Sequence, residues 1–116
     1  MIHVNAGELN QRIQIYRVTE VKDNAGYYVP QEKLVHGCWA RVSRVSGTEM
    51  VKANADFGEE KVRFLIRWTS KPIDRKMTVR YRGKDYEIQY INDYGRPGQY
   101  LEIWAAWKSK EGGYGH

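Results

Sequence analysis

The feature that most constrains this fold is a series of short alternating segments, each ended by glycine or proline. The cleanest is Lys61 to Trp68. There Val62, Phe64, Ile66 and Trp68 alternate with Lys61, Arg63 and Arg67, interrupted only by Leu65. A period of two sends successive side chains to opposite faces of a strand, so one face is buried and the other wet. Leu9 to Val18 repeats the pattern through Ile13 and Ile15. Met77, Val79 and Tyr81 repeat it against Thr78, Arg80 and Arg82. Arg82-Gly83-Lys84-Asp85 is built as a tight hairpin turn, and Tyr86, Ile88 and Tyr90 belong to the return strand. Asp23 to Gly26 and Asn92 to Gly98 are further turns, and Tyr100 to Trp107 is the last strand. Pro30, after Tyr27-Tyr28-Val29, implies an edge or a break.

In Leu34 to Val45, Val35, Gly37, Trp39 and Arg41 share one face; His36, Cys38, Ala40 and Val42 share the other. Gly37 marks a bulge or a close backbone approach. About six strands joined by glycine-containing turns predict a mainly β chain, a small β-barrel or sandwich. The length, 116 residues, suits a single domain over 1–116. The polar, glycine-rich end, 108–116, reads as a flexible tail. Ile13, Ile15, Trp39, Val62, Phe64, Ile66, Val79, Ile88, Leu101 and Ile103 are the expected core.

One stretch, 46–58, breaks the rhythm. Ser46 and Glu49 have the spacing of a helix-capping box, and Gly58 has the character of a helix stop. The stretch is too short for a stable isolated helix, so it reads as a long loop or a short helix inserted between strands. Loops of that length are functional or disordered more often than incidental. Ser46, Gly47, Thr48, Glu49, Met50, Val51, Lys52 and Asp56 are therefore the candidate functional segment.

Catalytic chemistry finds little support. The three histidines, His3, His36 and His116, have no metal-ligand spacing to carboxylates. The serines sit in no nucleophile elbow, and no phosphate-cradling glycine loop occurs. The one cysteine, Cys38, excludes an intrachain disulfide and a cysteine-based metal site. The expectation is a protein that is not an enzyme, with no catalytic, cofactor or metal residues. No apolar run approaches a membrane span, and no secretory leader is evident at the start. A reducing cytoplasm is the expected place of synthesis.

The net charge of +5 is uneven. Residues 1–58 hold seven basic and six acidic side chains; residues 59–116 hold twelve and eight. Arg63 and Arg67 share one strand face, as do Arg80 and Arg82; if those strands pair, they form one basic sheet surface. Such a surface suits a protein interface, nucleic acid or plain solvation. With aromatics nearby, binding of single-stranded nucleic acid is the alternative function.

The order of these segments resembles the phage head–tail joining family, also called head-completion or stopper proteins. The likeness runs through Leu9-Asn10-Gln11-Arg12-Ile13, Gly26, Trp39-Ala40-Arg41-Val42 and Gly47-Thr48-Glu49. It continues through Val62 to Trp68, Ile73, Met77 to Tyr81, Gly83 and Tyr86-Glu87-Ile88, and ends at Arg96 and Tyr100 to Ile103. The resemblance implies a small β-barrel subunit with a long loop. It implies a ring under the portal and its adaptor proteins that closes the channel, retains packaged DNA and docks the tail-completion protein. It also implies a place in the virion after assembly in the host cytoplasm, and non-specific contact with passing double-stranded DNA. A tail-terminator-like connector is the variant within the same setting. The four arginines are then expected at protein interfaces.

Overall fold

The computed structural model describes residues 6–45 and 59–108. The segment 46–58 and the tail 109–116 lie outside the described residues. A 3-10 turn, Ala6–Glu8, precedes six strands: β1 (Gln11–Lys22), β2 (Tyr28–Arg44), β3 (Glu59–Arg67), β4 (Thr78–Tyr81), β5 (Lys84–Tyr94) and β6 (Tyr100–Lys108). All pairings are antiparallel, and the order β1-β2-β3-β6-β5-β4 closes where Ile15 of β1 meets Val79 of β4. The mainly β architecture expected from the alternation is the one observed.

The strand directions give the barrel two different ends. At one end β2 finishes at Arg44, β3 starts at Glu59 opposite Lys108 of β6, and Tyr81 turns to Lys84. That turn places Arg82 at φ 51° and Gly83 at φ 78°, the two-positive-φ geometry that twists with its flanking strands. At the other end the 68–77 connection and the 95–99 turn cross over. From this end β1 and β2 continue outward as a two-stranded ribbon, paired from Arg17↔Lys33 to Lys22↔Tyr28. The ribbon ends in a turn where the Asp23 carboxylate accepts the N–H groups of Ala25 and Tyr27, each at 2.9 Å. Pro30 does not break β2; it lies within the ribbon opposite Glu20, on a strand whose outer side is open.

The interior is filled by Ile13, Ile15, Phe64, Ile66, Val79, Ile88 and Ile103, with Met77, Tyr86 and Ala105. Phe64 takes the centre, edge-on to Tyr81 and Tyr86 at 5.7 and 5.5 Å. A barrel of six strands is narrow. Once Phe64 and Ile13 occupy it, the facing positions of β2 must be small. They are Cys38 opposite Ile13 and Val42 opposite Phe64, with Ala40 between them. Trp39 is consequently outside, 54% exposed, and is not the core anchor its size suggests. Leu101 is half-buried against the core.

Three other departures have local causes. Trp68 follows the last residue of β3, so the alternation no longer governs it, and it is exposed. Tyr90 is exposed because the register shifts between Ile88 and Tyr90, which turns Ile91 toward the core instead. Leu65 points outward as alternation requires, yet is buried beneath Leu9 and Tyr100 in a small second cluster.

Candidate functional site

The segment 46–58 leaves and re-enters at one end of the barrel, between two strands that are already neighbours. Arg44 lies opposite Val62, and the Val45 N–H donates to the Lys61 carbonyl at 3.1 Å. Both roots are thus held by the sheet itself. A charge cluster reinforces them. The Glu60 carboxylate pairs with Arg44 at 2.6 Å and accepts from Lys84 at 3.0 Å and from the Tyr86 hydroxyl at 3.2 Å. One strand root, the other root and the β4–β5 hairpin converge on this single carboxylate.

Burial alone raises the Glu60 carboxyl, but the hydrogen bond and charge of Lys84, the charge of Arg44 and the Tyr86 hydroxyl outweigh it and hold it below its ordinary value. Tyr86 is pushed up to about 12 by burial and by the Glu60 charge beside it. Lys84 also lies over the Trp107 ring at 4.3 Å. A cavity of about 570 Å³ opens here, and Arg41, Arg82 and Glu8 share its wall. Tyr81 donates to the Gln11 side-chain carbonyl at 3.1 Å, and Arg82 stacks on Tyr81 and reaches the same oxygen at 3.4 Å. The arrangement is a brace: cations and acids satisfy one another, and it holds the roots of the excursion in place.

The comparisons with known proteins decide the family. The family model described as phage head completion protein matches residues 4–108. The chain belongs to that family. This head completion protein is a structural component of the phage virion and works among other head and tail proteins. No curated protein matches it. Solved structures share its fold, among them the following two. Protein SF1141 from Shigella flexneri 2a is 24% identical with a TM-score of 0.69, covering 93% of this chain and 99% of its own. A chain in the virion of a native gene transfer agent particle is 21% identical with a TM-score of 0.59, covering 86% of this chain and 94% of its own.

The arginines expected to form one basic face of the head completion protein are not brought together. β3 and β4 do not pair; two strands separate them either way around the barrel. Arg63 lies on β3 with its guanidinium 5.4 Å from the Trp104 ring, and Arg67, exposed, ends that strand. Arg80 is across the barrel, bound to Asp85 and Glu32 and stacked on Tyr16 at 4.5 Å. The hydrogen bonds it donates, to Asp85 first and then to Glu32, make its proton harder to remove. Glu32 belongs to the ribbon, so Arg80 ties ribbon to barrel. Arg82 is in the hairpin turn. Ser46, Gly47, Thr48, Glu49, Met50, Val51, Lys52 and Asp56 lie outside the described residues.

Sequence reasoning missed the surface formed by Trp39 and Trp68. One signal pointed there: Gly37 within a strand pattern. A Cβ at Gly37 would stand 3.1 Å from the Arg12 guanidinium, which in turn lies 5.5 Å from the Trp39 ring.

Proposed function

We propose that this head completion protein acts as a stopper. Copies form a ring at the head–tail interface, close the portal channel, retain packaged DNA and present a surface to the tail. The role is structural, without catalysis. The free subunit associates weakly, and the portal and adaptor proteins supply the platform on which the ring forms. The segment from Ser46 to Gly58 is the channel element in this reading, and contacts with DNA are to phosphate and independent of sequence.

The observation that supports the reading is the geometry at the roots of that segment. β2 and β3 are adjacent and antiparallel, and a hairpin of a few residues suffices to join such strands. The fold has no need of the extra residues, and the Glu60 brace fixes where they start and stop. The rival reading, a single-strand-binding barrel, rested on a continuous basic sheet surface, and the strands meant to form it lie on opposite sides. The test replaces 48–57 by a short Gly-Ser linker. Near-normal thermal stability and docking to heads, with leakage of packaged DNA, is the expected result. Complete DNA retention by heads carrying the shortened protein overturns it.

A further inference from the structure

β3 flanks β2 only from Ala40 to Arg44. From Tyr28 to Trp39 β2 pairs with β1 alone. On the other side, the N–H and C=O groups of alternate residues meet no strand. The inner part of this open edge, His36 to Trp39, borders a cavity of about 450 Å³. Arg67, Trp68 and Thr69 form the opposite bank. The backbone explains the gap: the Trp68 N–H donates to the Gln99 carbonyl at 3.1 Å, which draws the chain toward the 95–99 turn and away from β2.

Two tryptophans stand on the banks, Trp39 at 54% and Trp68 at 46% exposure. Exposed tryptophans bordering an open strand edge are what a binding site needs and what a solitary subunit does not. The charge is one-sided. None of the residues lining the notch is acidic, and Arg12, Arg67 and the nearby Lys71 make no ion pair among the described residues. Elsewhere on the barrel Arg44, Arg80 and Lys84 are each matched by a carboxylate. His36 adds no charge at neutral pH, since burial and then the charges of Lys71 and Arg12 lower its pKa.

We propose that this notch binds an extended acidic segment of another head or tail protein, which adds as a strand to the open edge of β2. Main-chain hydrogen bonds along His36 to Trp39 supply affinity, the two indoles cover apolar side chains of the segment, and its carboxylates meet Arg12 and Arg67. The ribbon of a second copy fits poorly: Arg17, Lys22 and Lys33 balance Glu20, Asp23 and Glu32, so it offers no net negative charge. Single-stranded nucleic acid also fits poorly, because it cannot continue a β ladder and Arg12 already lies against Trp39. The proposal rests on the geometry of the notch and on family membership, and is independent of the stopper reading, since its test measures no DNA retention.

The probe is a synthetic peptide alternating glutamate with valine and phenylalanine. Its controls are the same peptide with lysine for glutamate, the same peptide N-methylated on alternate amides, and a short oligothymidylate. Amide and indole NMR shifts of the full-length protein are followed during titration. Saturable shifts centred on Gly37, Cys38 and the indoles of Trp39 and Trp68 are expected with the acidic peptide. Binding should weaken by about tenfold or more with the lysine peptide, with the N-methylated peptide, and in Arg67→Glu, whose exposed position leaves the thermal melt unchanged. Absence of binding, equal binding of the lysine peptide, shifts centred elsewhere, or preferential binding of the oligothymidylate overturns the proposal.

Discussion

β1 is one continuous strand with two contrasting halves. From Gln11 to Tyr16 it runs beside β2, with β4 alongside from Gln14, and Ile13 and Ile15 are fully buried. From Arg17 to Lys22 it has β2 alone, and Val18 is 49% exposed. Apolar residues occur in both halves, and the ladder with β2 shifts register once at the divide, between Ile15 and Tyr16. What changes is the number of neighbours. An apolar side chain on a strand is buried only when the sheet around it curves over and closes, which a two-stranded ribbon cannot do. The barrel half therefore carries the stability, and the ribbon half is left to present a surface.

Substitutions measure the contrast. Phe64→Ala removes the side chain at the centre of the barrel and is expected to cost about 3–5 kcal/mol, read from the denaturant midpoint. A midpoint unchanged within error would show that the interior is not packed around Phe64. Next in size, Gly83→Ala places a Cβ at φ 78° with open space around it, so any effect is conformational. It should cost about 1 kcal/mol in the same measurement.

Glu60→Gln keeps a hydrogen-bond acceptor but removes the charge shared by Arg44 and Lys84, a loss of about 1 kcal/mol at neutral pH. The pH dependence has a definite sign. The folded carboxyl titrates below its ordinary 4.5, so the unfolded chain takes up the proton first as acid is added. The contribution is whole above 4.5 and is lost as pH falls through the lower folded value. Glu60→Gln should flatten that acid limb in thermal melts across pH; an identical acid slope contradicts the brace. The smallest effects belong to the ribbon and the outer wall. Tyr28→Ser and Trp39→Ser should each change stability by less than about 0.5 kcal/mol. A loss on the scale of Phe64→Ala would erase the distinction between the two regions.

Much of the barrel was legible in the sequence. Ile13, Ile15, Val62, Phe64, Ile66, Val79, Ile88 and Ile103 alternate with polar neighbours, and all are buried. The errors share one cause. Alternation tells which residues share a face, but not which face turns inward when both carry apolar groups. Alternation groups Val35 with Trp39, yet Val35 packs against the core at the register shift between Ile15 and Tyr16, so on β2 the choice lay between Trp39 and Ala40 with Cys38. It was settled by volume contributed from β1 and β3, a property of three strands at once. A register shift is equally hidden: nothing at Gln89 announces the slip that exposes Tyr90 and turns Ile91 inward. The brace was invisible for the same reason, since Arg44, Glu60, Lys84 and Tyr86 meet only when the barrel closes. Arg80 joins Glu32 across a separation in sequence that no local pattern reveals.

The end of β6 has a practical consequence for anyone handling this protein. Lys108 lies opposite Glu59, so the chain leaves the barrel beside the roots of the excursion, at the end away from the ribbon. An affinity handle joined after the last residue tethers the molecule by that end. On a sensor chip or bead, the ribbon and the two exposed tryptophans then face the solution, while the excursion is crowded against the support. A capture experiment built that way samples one side of the molecule. Moving the handle to the 23–27 turn reverses the orientation and samples the other.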